Sequence, residues 1–330
     1  MIPYPLCLSG IYKTPIWGGT QLIQELGKHS PAPTLGESWE LSVRKNEQNT
    51  VCNGVLAGKR VTEALAALGF APPTGFPLLV KLIDAADRLS VQVHPSDAYA
   101  MQHEHGESGK SELWYIVAAA PGAEIVYGTQ GVPSRQDLAA AIEQGRLEPL
   151  LHRQPVHAGE SYFIPAGLLH AIGGGILIAE IQQSSNLTYR VYDYGRRDQA
   201  GHLRQLHIEK ALDVIRPFSA AKIEMLRFAK HTPSLSGGQV LADCAYFRAE
   251  QLQLNGFQIS LPYATGWRHL LCLSGRATLS CNGVDYAVSP MEGSASWLLP
   301  PSVPLHLSGN ASLLFSAPTV DRESTPTQRI

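Results

Sequence analysis

The segment Gly159-Glu-Ser-Tyr-Phe-Ile-Pro165-Ala-Gly167-Leu-Leu-His170 contains a complete turn, strand and turn. Gly159 suits a turn into a strand, Ser161 to Ile164 is a short β-rich run, and Pro165 with Gly167 suits the turn that follows. That second turn aims His170 inward. Upstream, Leu89-Ser-Val-Gln-Val-His-Pro95 alternates strictly between apolar and polar residues. Side chains alternate across a strand, so Ser90, Gln92 and His94 share one face and Leu89, Val91 and Val93 take the other. The same alternation in Lys110-Ser-Glu-Leu-Trp114 puts Lys110, Glu112 and Trp114 together.

The first segment matches the second cupin motif (Gly, five residues, Pro, one residue, Gly, two residues, His) without a gap. The first cupin motif is present in stretched form as Gln92-x-His94, with Glu112 eighteen residues after the histidine. The insertion between them, Pro95 to Gly109, is polar and partly helical in pattern. A lone histidine in a strand is usually a hydrogen-bonded core residue. Two histidines and a carboxylate in matching motif positions favour a metal instead. Two imidazoles, a carboxylate and an open position suit a catalytic Zn²⁺, and they also suit a non-haem Fe²⁺. Spacing does not choose between them; the amide of Gln92 as an extra oxygen ligand tilts the reading toward zinc, one ion per chain.

The bulk properties fit such a protein. At 330 residues the chain is long enough for two domains. Only 16% of residues are charged, against roughly 25% in an average soluble domain. With 30 Gly and 23 Pro, the expectation is many short strands joined by tight connections. The formal net charge of −2 and the lack of any run of five like charges argue against a nucleic-acid partner. Cys7, Cys52, Cys244, Cys272 and Cys281 include no CxxC pair, which reads as reduced thiols in the cytoplasm. The N-terminus lacks the pattern of a signal peptide. No apolar stretch reaches the roughly 18 residues of a membrane span, and the most apolar window, Ile176 to Ile181, is interrupted by Glu180.

Helical signatures occur at Thr20 to Gly27, Thr62 to Gly69, Ser134 to Gly145 (with Asp137 in a capping-box position) and His207 to Ile215. The other periodic segments read as strands: Leu78 to Ile83, Leu89 to His94, Glu112 to Val117, Ser161 to Ile164, Ile176 to Ile181 and Tyr189 to Tyr194. A mixed connector follows Pro217, and a second strand-rich block includes the hairpin signal Cys281-Asn-Gly283. The expected architecture is mainly β, with two cupin-type antiparallel β-barrels of jelly-roll kind and short helices decorating the first. The expected division is a catalytic, metal-binding domain at 1–218, a connector at 219–238, and a degenerate cupin domain at 239–330 whose tail from Pro318 is disordered.

Four segments also resemble a known family: Phe76-Pro-Leu-Leu-Val-Lys-Leu-Ile-Asp84, Leu89 to Pro95, Gly109-Lys-Ser-Glu-Leu-Trp-Tyr115, and Gln182-Gln-Ser-Ser-Asn-Leu-Thr-Tyr-Arg-Val-Tyr-Asp193. With Ile16-Trp-Gly-Gly19 and Gly36-Glu-Ser-Trp-Glu40, they are similar to type I mannose-6-phosphate isomerases of the short bacterial form. The resemblance runs from about residue 10 to 216. It implies interconversion of mannose 6-phosphate and fructose 6-phosphate, with zinc held by Gln92, His94, Glu112 and His170. It further implies a catalytic role for Arg190 and substrate-phosphate contacts near Lys81, Ser90 and Lys110. The chain departs from the family at Asn186, where an Asp is usual, so no general-base role can be carried over to that position.

The residues fit this chemistry. Moving a carbonyl from C1 to C2 removes an α-proton through an enediolate, which a divalent cation and a fixed guanidinium such as Arg190 both stabilise. Lys110 is a candidate base, with phosphate binding as the equal alternative. Lys81 either touches phosphate or pairs with Asp84 or Asp87. The expected partner is a small sugar phosphate, with no membrane and a monomeric chain. The rival readings are a cupin Fe²⁺ oxygenase and a non-catalytic sugar-phosphate-binding cupin.

Overall fold

A computed structural model describes residues 2–70, 77–197, 201–227, 232–233 and 237–319. Strands dominate and pair antiparallel throughout. Leu78–Ala85 and Ile176–Gln183 are buried along their whole length, which is why they read as continuous runs and not as alternation. They form the centre of a six-stranded sheet in the order Ser161–Ile164, Glu112–Ala119, Ile176–Gln183, Leu78–Ala85, Glu37–Leu41, Ile11–Lys13. A five-stranded sheet follows the order Leu151–Pro155, Glu124–Thr129, His170–Ala171, Val91–Val93, Tyr189–Tyr192. The two sheets face each other, because Ile83, Trp114, Ile116 and Ile178 of the first pack with Ile125 and Tyr127 of the second in one core.

The C-terminal unit is an eight-stranded sheet built on three long strands, Phe247–Leu261, Arg268–Cys281 and Leu305–Pro318. The expected hairpin is present. Asn282 and Gly283 both adopt positive φ (49° and 77°), joining Arg268–Cys281 to Val284–Val288 through the tight turn that Asn-Gly favours. The mainly-β fold with two antiparallel cupin-type units is therefore observed. Among the described residues, each barrel is shaped by open, facing or curled sheets, and no sheet closes into a continuous hydrogen-bonded ring.

Helices are shorter than their sequence signals. Thr20 to Gly27 contains only Gln21–Gln24, and Thr62 to Gly69 becomes Val61–Ala67. Ser134 caps Arg135–Glu143 through the expected reciprocal bonds with Asp137. The fourth is Ile208–Val214. The insertion carries Asp97–His103, and the connector holds an unanticipated helix, Ala220–Arg227. The expected strand Leu89 to His94 narrows to Val91–Val93. The tail expected to be disordered lies, beyond 319, outside the described residues.

Two motif segments far apart in sequence meet at Asp84. Its carboxylate accepts hydrogen bonds from the backbone N–H of Gln21 (2.6 Å) and Leu22 (3.3 Å), satisfying the N-terminus of the helix Gln21–Gln24. A Cβ at Gly19 would lie 2.5 Å from Asp84 Oδ1, so only glycine allows this approach.

The N-terminal strand is the part the division by sequence does not capture. Leu6–Leu8 pairs with Ser296–Leu299 and so belongs to the C-terminal sheet. Leu6 and Leu8 share one core with Leu41 and Val51 of the first unit and Leu271 and Leu298 of the second. Leu6 is fully buried. Leu6→Ala should lower unfolding free energy by about 2–5 kcal/mol, measured by urea denaturation. A change within experimental error would show that this strand does not fasten the units.

Candidate metal centre

The centre lies between the two facing sheets. Glu112 opens a strand of the six-stranded sheet, whereas Gln92, His94 and His170 come from the five-stranded sheet or its immediate end. The two-residue strand His170–Ala171 places His170 directly opposite Gln92, and Arg190 is opposite Gln92 on its other side. Cross-strand partners share a face, so Gln92 stands between His170 and Arg190. The ligand atoms of His94, Glu112 and His170 lie within 4.8 Å of one another, and all three residues are buried.

Both rings are oriented by backbone. His94 Nδ1–H donates to Leu187 O and His170 Nδ1–H to Leu168 O, each at 2.8 Å. A carbonyl only accepts, so each Nε2 carries the lone pair and points inward. His94 Nε2 is 3.1 Å from Glu112 Oε1, and His170 Nε2 is 3.9 Å from Glu112 Oε2. Burial, followed by the nearby Lys110 ammonium, depresses the His94 imidazole to about 4, outweighing the pull of Glu112. Burial lowers His170 as well. Burial opposes ionisation of Glu112, but the Lys110 ammonium outweighs it and holds the carboxyl well below its usual range. The set is thus two neutral imidazoles and a carboxylate. His170 Nε2 is buried without a hydrogen-bond partner, and two imidazole lone pairs converging with a carboxylate fit a divalent cation.

Lys110 contacts Glu112 Oε1 in a short ion pair and lies 3.3 Å from His94 Nε2. Ser90 is buried, and its Oγ accepts from Arg190 Nε at 3.2 Å. Arg190 also donates to Gln205 O (2.9 Å). Among the described residues no carboxylate pairs with Arg190; Asp193 is taken by Arg196 and Arg204. Burial and then the charge of Arg204 lower the proton affinity of Arg190, as expected of a cation short of an anion. A register shift after Arg190 sends the neighbouring Tyr192 toward Glu148.

Lys81 pairs with Glu180 at 3.2 Å and approaches Glu37 at 4.0 Å. The pairing with Asp84 or Asp87 does not occur, because Asp84 is occupied at the helix N-terminus. Burial alone would push the Lys81 ammonium down; Glu180, Glu37 and Glu112 outweigh it and raise it. Trp114 Nε1–H is shared between Glu180 Oε2 (3.0 Å) and Glu112 Oε2 (3.1 Å). Lys81, Glu180 and Trp114 thus orient Glu112, a chain the sequence reading missed. Its signal was Glu180, the single carboxylate in the most apolar window.

Gln182 and Gln183 were also missed as supports. Gln183 accepts from Ser111 N–H (2.9 Å) and donates to Asp97 (3.0 Å), tying the insertion to the strand that follows it in the sheet. Gln182 donates to Gln183 O and Ser185 O, shaping the loop that presents Leu187 O to His94. Asn186 in that loop is exposed.

Comparison with known proteins agrees with this geometry. The family profile "Phosphomannose isomerase type I, catalytic domain" matches residues 6–118. The mannose-6-phosphate isomerase of Streptococcus mutans is 39% identical over 293 residues, covering 86% of this chain and 89% of that protein. The chain belongs to the type I phosphomannose isomerase family. The mannose-6-phosphate isomerase ManA of Bacillus subtilis is 39% identical over 260 residues, covering 78% of this chain and 81% of that protein. A crystal structure of the Bacillus subtilis mannose 6-phosphate isomerase superposes with a TM-score of 0.86 at 31% identity, covering 95% of this chain and 99% of that one.

Among the described residues, no other group of three His, Cys, Asp or Glu converges as a metal site. In the C-terminal unit His269 Nε2 meets Ser296 Oγ at 2.9 Å and His306 Nδ1 meets Ser260 Oγ at 3.0 Å. His94→Ala or His170→Ala should therefore remove bound metal, whereas a His269→Ala, His306→Ala double variant should keep it, as read by metal analysis of the purified proteins. Retention in the first pair would reject the assignment.

His269 supplies a pH test. Burial, then Lys28, depresses it to about 3. Its folded value lies below its unfolded one, so the unfolded chain takes up the proton first as pH falls. The stability it contributes is full above about pH 6.5 and drains on acidification toward 3. Between pH 7 and 5, His269→Gln should lose about 2 kcal/mol less unfolding free energy than the parent chain. Equal losses would show that His269 takes up no extra proton on unfolding.

Proposed function

We propose that this chain interconverts mannose 6-phosphate and fructose 6-phosphate through an enediolate, as the relatives' names and the site's chemistry support. The observation that carries the reading is the convergence of two neutral, oriented imidazoles on an ionised, buried Glu112, with Arg190 nearby and, among the described residues, without a carboxylate partner. Zinc, one ion per chain, fits these donors, held by His94, Glu112 and His170 with Gln92 as an added oxygen ligand. When bound, the ion would supply Lewis-acid polarisation of the sugar oxygens and stabilise developing negative charge.

The chain's own groups do the rest. Ser90 and Gln205 fix Arg190 so that the remaining face of its guanidinium can meet an oxyanion. Charge that develops on the sugar oxygens in the enediolate-like transition state strengthens this contact, which is how a preorganised donor lowers a barrier. Lys110, whose Nζ borders both Glu112 and His94, is positioned to carry the proton between C1 and C2; phosphate contact is its alternative role. Ser90 and Lys81 are proposed near the phosphate. For Lys81 this requires sharing its ammonium with Glu180.

We further propose a cytoplasmic monomer whose residues 1–218 carry catalysis, with 219–238 as connector and 239–330 as support. No helix among the described residues is long and apolar enough to cross a membrane.

The purified chain supplied with Zn²⁺ should form fructose 6-phosphate from mannose 6-phosphate, and a chelator should stop it. Arg190→Ala should keep its metal and melting temperature while kcat falls by roughly 10²–10³-fold, and Arg190→Lys should recover little because a point charge cannot reproduce the planar fork. Near-normal kcat with a raised KM would make Arg190 a phosphate clamp. No isomerisation, with Fe²⁺-dependent oxygen uptake instead, would overturn the proposal.

A further inference from the structure

Cys7 and Cys52 lie 45 positions apart yet are direct cross-strand neighbours. The antiparallel bridge Leu8↔Val51 fixes the register, which sets Cys7 opposite Cys52. Cys52 N–H donates to Cys7 O at 2.8 Å. Leu8 and Val51 both enter the core shared by the two units, so by strand alternation the two cysteines share the opposite face. Cys52 Sγ donates to Thr50 O at 3.7 Å. Residues directly opposite in an antiparallel pair hold their Cα atoms roughly 4.5–5.5 Å apart, inside the approximately 4.4–6.8 Å that a disulfide spans.

The backbone on both sides is pinned. Asn53 Oδ1 accepts from Cys7 N–H (2.8 Å) while its Nδ2 donates to Pro5 O (3.0 Å). Tyr4 O–H donates to Asn53 O (3.3 Å), and its oxygen accepts from Leu56 N–H (3.1 Å). The thiols cannot easily drift apart. Access is unequal: Cys7 is buried and Cys52 exposed.

We propose that Cys7 and Cys52 are a redox modification site, closing to a reversible disulfide on exchange with a small disulfide of the glutathione type. The exposed Cys52 thiolate attacks one sulfur of the small disulfide, forming a mixed disulfide and expelling one thiolate. Cys7 then attacks Cys52 Sγ, its proton passing to the thiolate released in that step. Two protein thiols are oxidised to one disulfide and one small disulfide is reduced to two thiols. The neighbouring Cys7 thiol outweighs the opposing burial and lowers the Cys52 thiol below its ordinary value, which favours the attacking thiolate. Cys244, Cys272 and Cys281 are pushed up by burial and are poor initiators.

The consequence is mechanical. Cys7 sits in the strand Leu6–Leu8, which pairs with Ser296–Leu299, while Cys52 belongs to the first unit. The bond would rivet that strand to the first unit and restrict the unfolded chain.

The test is incubation of the full chain with oxidised glutathione at pH 7.5, followed by thiol titration, intact mass and non-reducing peptide mapping. The expected result is a fall from five free thiols to three, a mass lower by two hydrogens, and one peptide pair joining Cys7 to Cys52. The oxidised chain should have a higher urea midpoint, reversed by dithiothreitol. Cys7→Ala should stop at glutathione on Cys52, and Cys52→Ser should keep all its thiols. Accumulation of the mixed disulfide on the parent chain, or linkage through any other cysteine, would overturn the proposal; the parent chain decides this even if a variant folds poorly.

Discussion

A carboxylate and two lone-pair nitrogens, all buried and all pointing at one another, form the constraint on which the rest of this structure depends. Glu112 and His170 are wholly inaccessible and His94 nearly so. Burying an ionised carboxylate without compensation costs far more than one hydrogen bond returns. The fold answers that demand in layers. Lys110 neutralises Glu112 directly, Trp114 donates to it, and Lys81 balances Glu180, which shares the same indole N–H. The two rings are kept from rotating by Leu168 O and Leu187 O. A divalent cation would resolve what these groups leave unmet, the lone pair of His170 above all.

The same charge logic extends to Arg190. Asp193 is already paired with Arg196 and Arg204, leaving Arg190, among the described residues, with a hydroxyl and a carbonyl but no carboxylate. A fixed cation of this kind favours whatever anion reaches it, and a sugar phosphate becoming an enediolate offers two. Gln92, His170 and Arg190 lie on three adjacent strands of the five-stranded sheet, so their mutual placement depends on sheet register, while Glu112 reaches them from the facing six-stranded sheet.

The two units are less separable than the chain order suggests. Leu6–Leu8 crosses to the C-terminal sheet, and Ser296 Oγ donates to Glu40 O (2.6 Å) in the strand next to Leu78–Ala85. The C-terminal unit also has buried histidine, but His269 is satisfied by a serine hydroxyl and, among the described residues, belongs to no group of three converging ligand side chains. Histidine burial is common to both units; convergence with an acid is not.

Local pattern determined much of this protein. Period-two alternation assigned Ser90, Gln92 and His94 to one face, and turn residues around Ile164 delivered His170. The Asn-Gly pair set the hairpin at 282–283, and Ser134 with Asp137 set a helix start. Each depends on residues a few positions apart, so the sequence carries it alone. Tertiary structure decided what depends on distant segments meeting. Lys81 looked as ready to pair with Asp84, three residues away, as with anything else. The strand carrying Glu180 arrives in register beside it, while Asp84 is claimed by a helix N-terminus sixty residues upstream. The helix Ala220–Arg227 starts after Ser219, whose Oγ accepts from Lys222 N–H at 3.3 Å, and it is short; burial of Ile223 and Leu226 and packing against the strand Ser161–Ile164 supply what eight residues alone do not. The N-terminal strand found its partner almost three hundred residues away. Sheet pairing is satisfied by any edge with compatible hydrogen bonds and apolar faces, so a three-residue strand contains no record of which edge it will join.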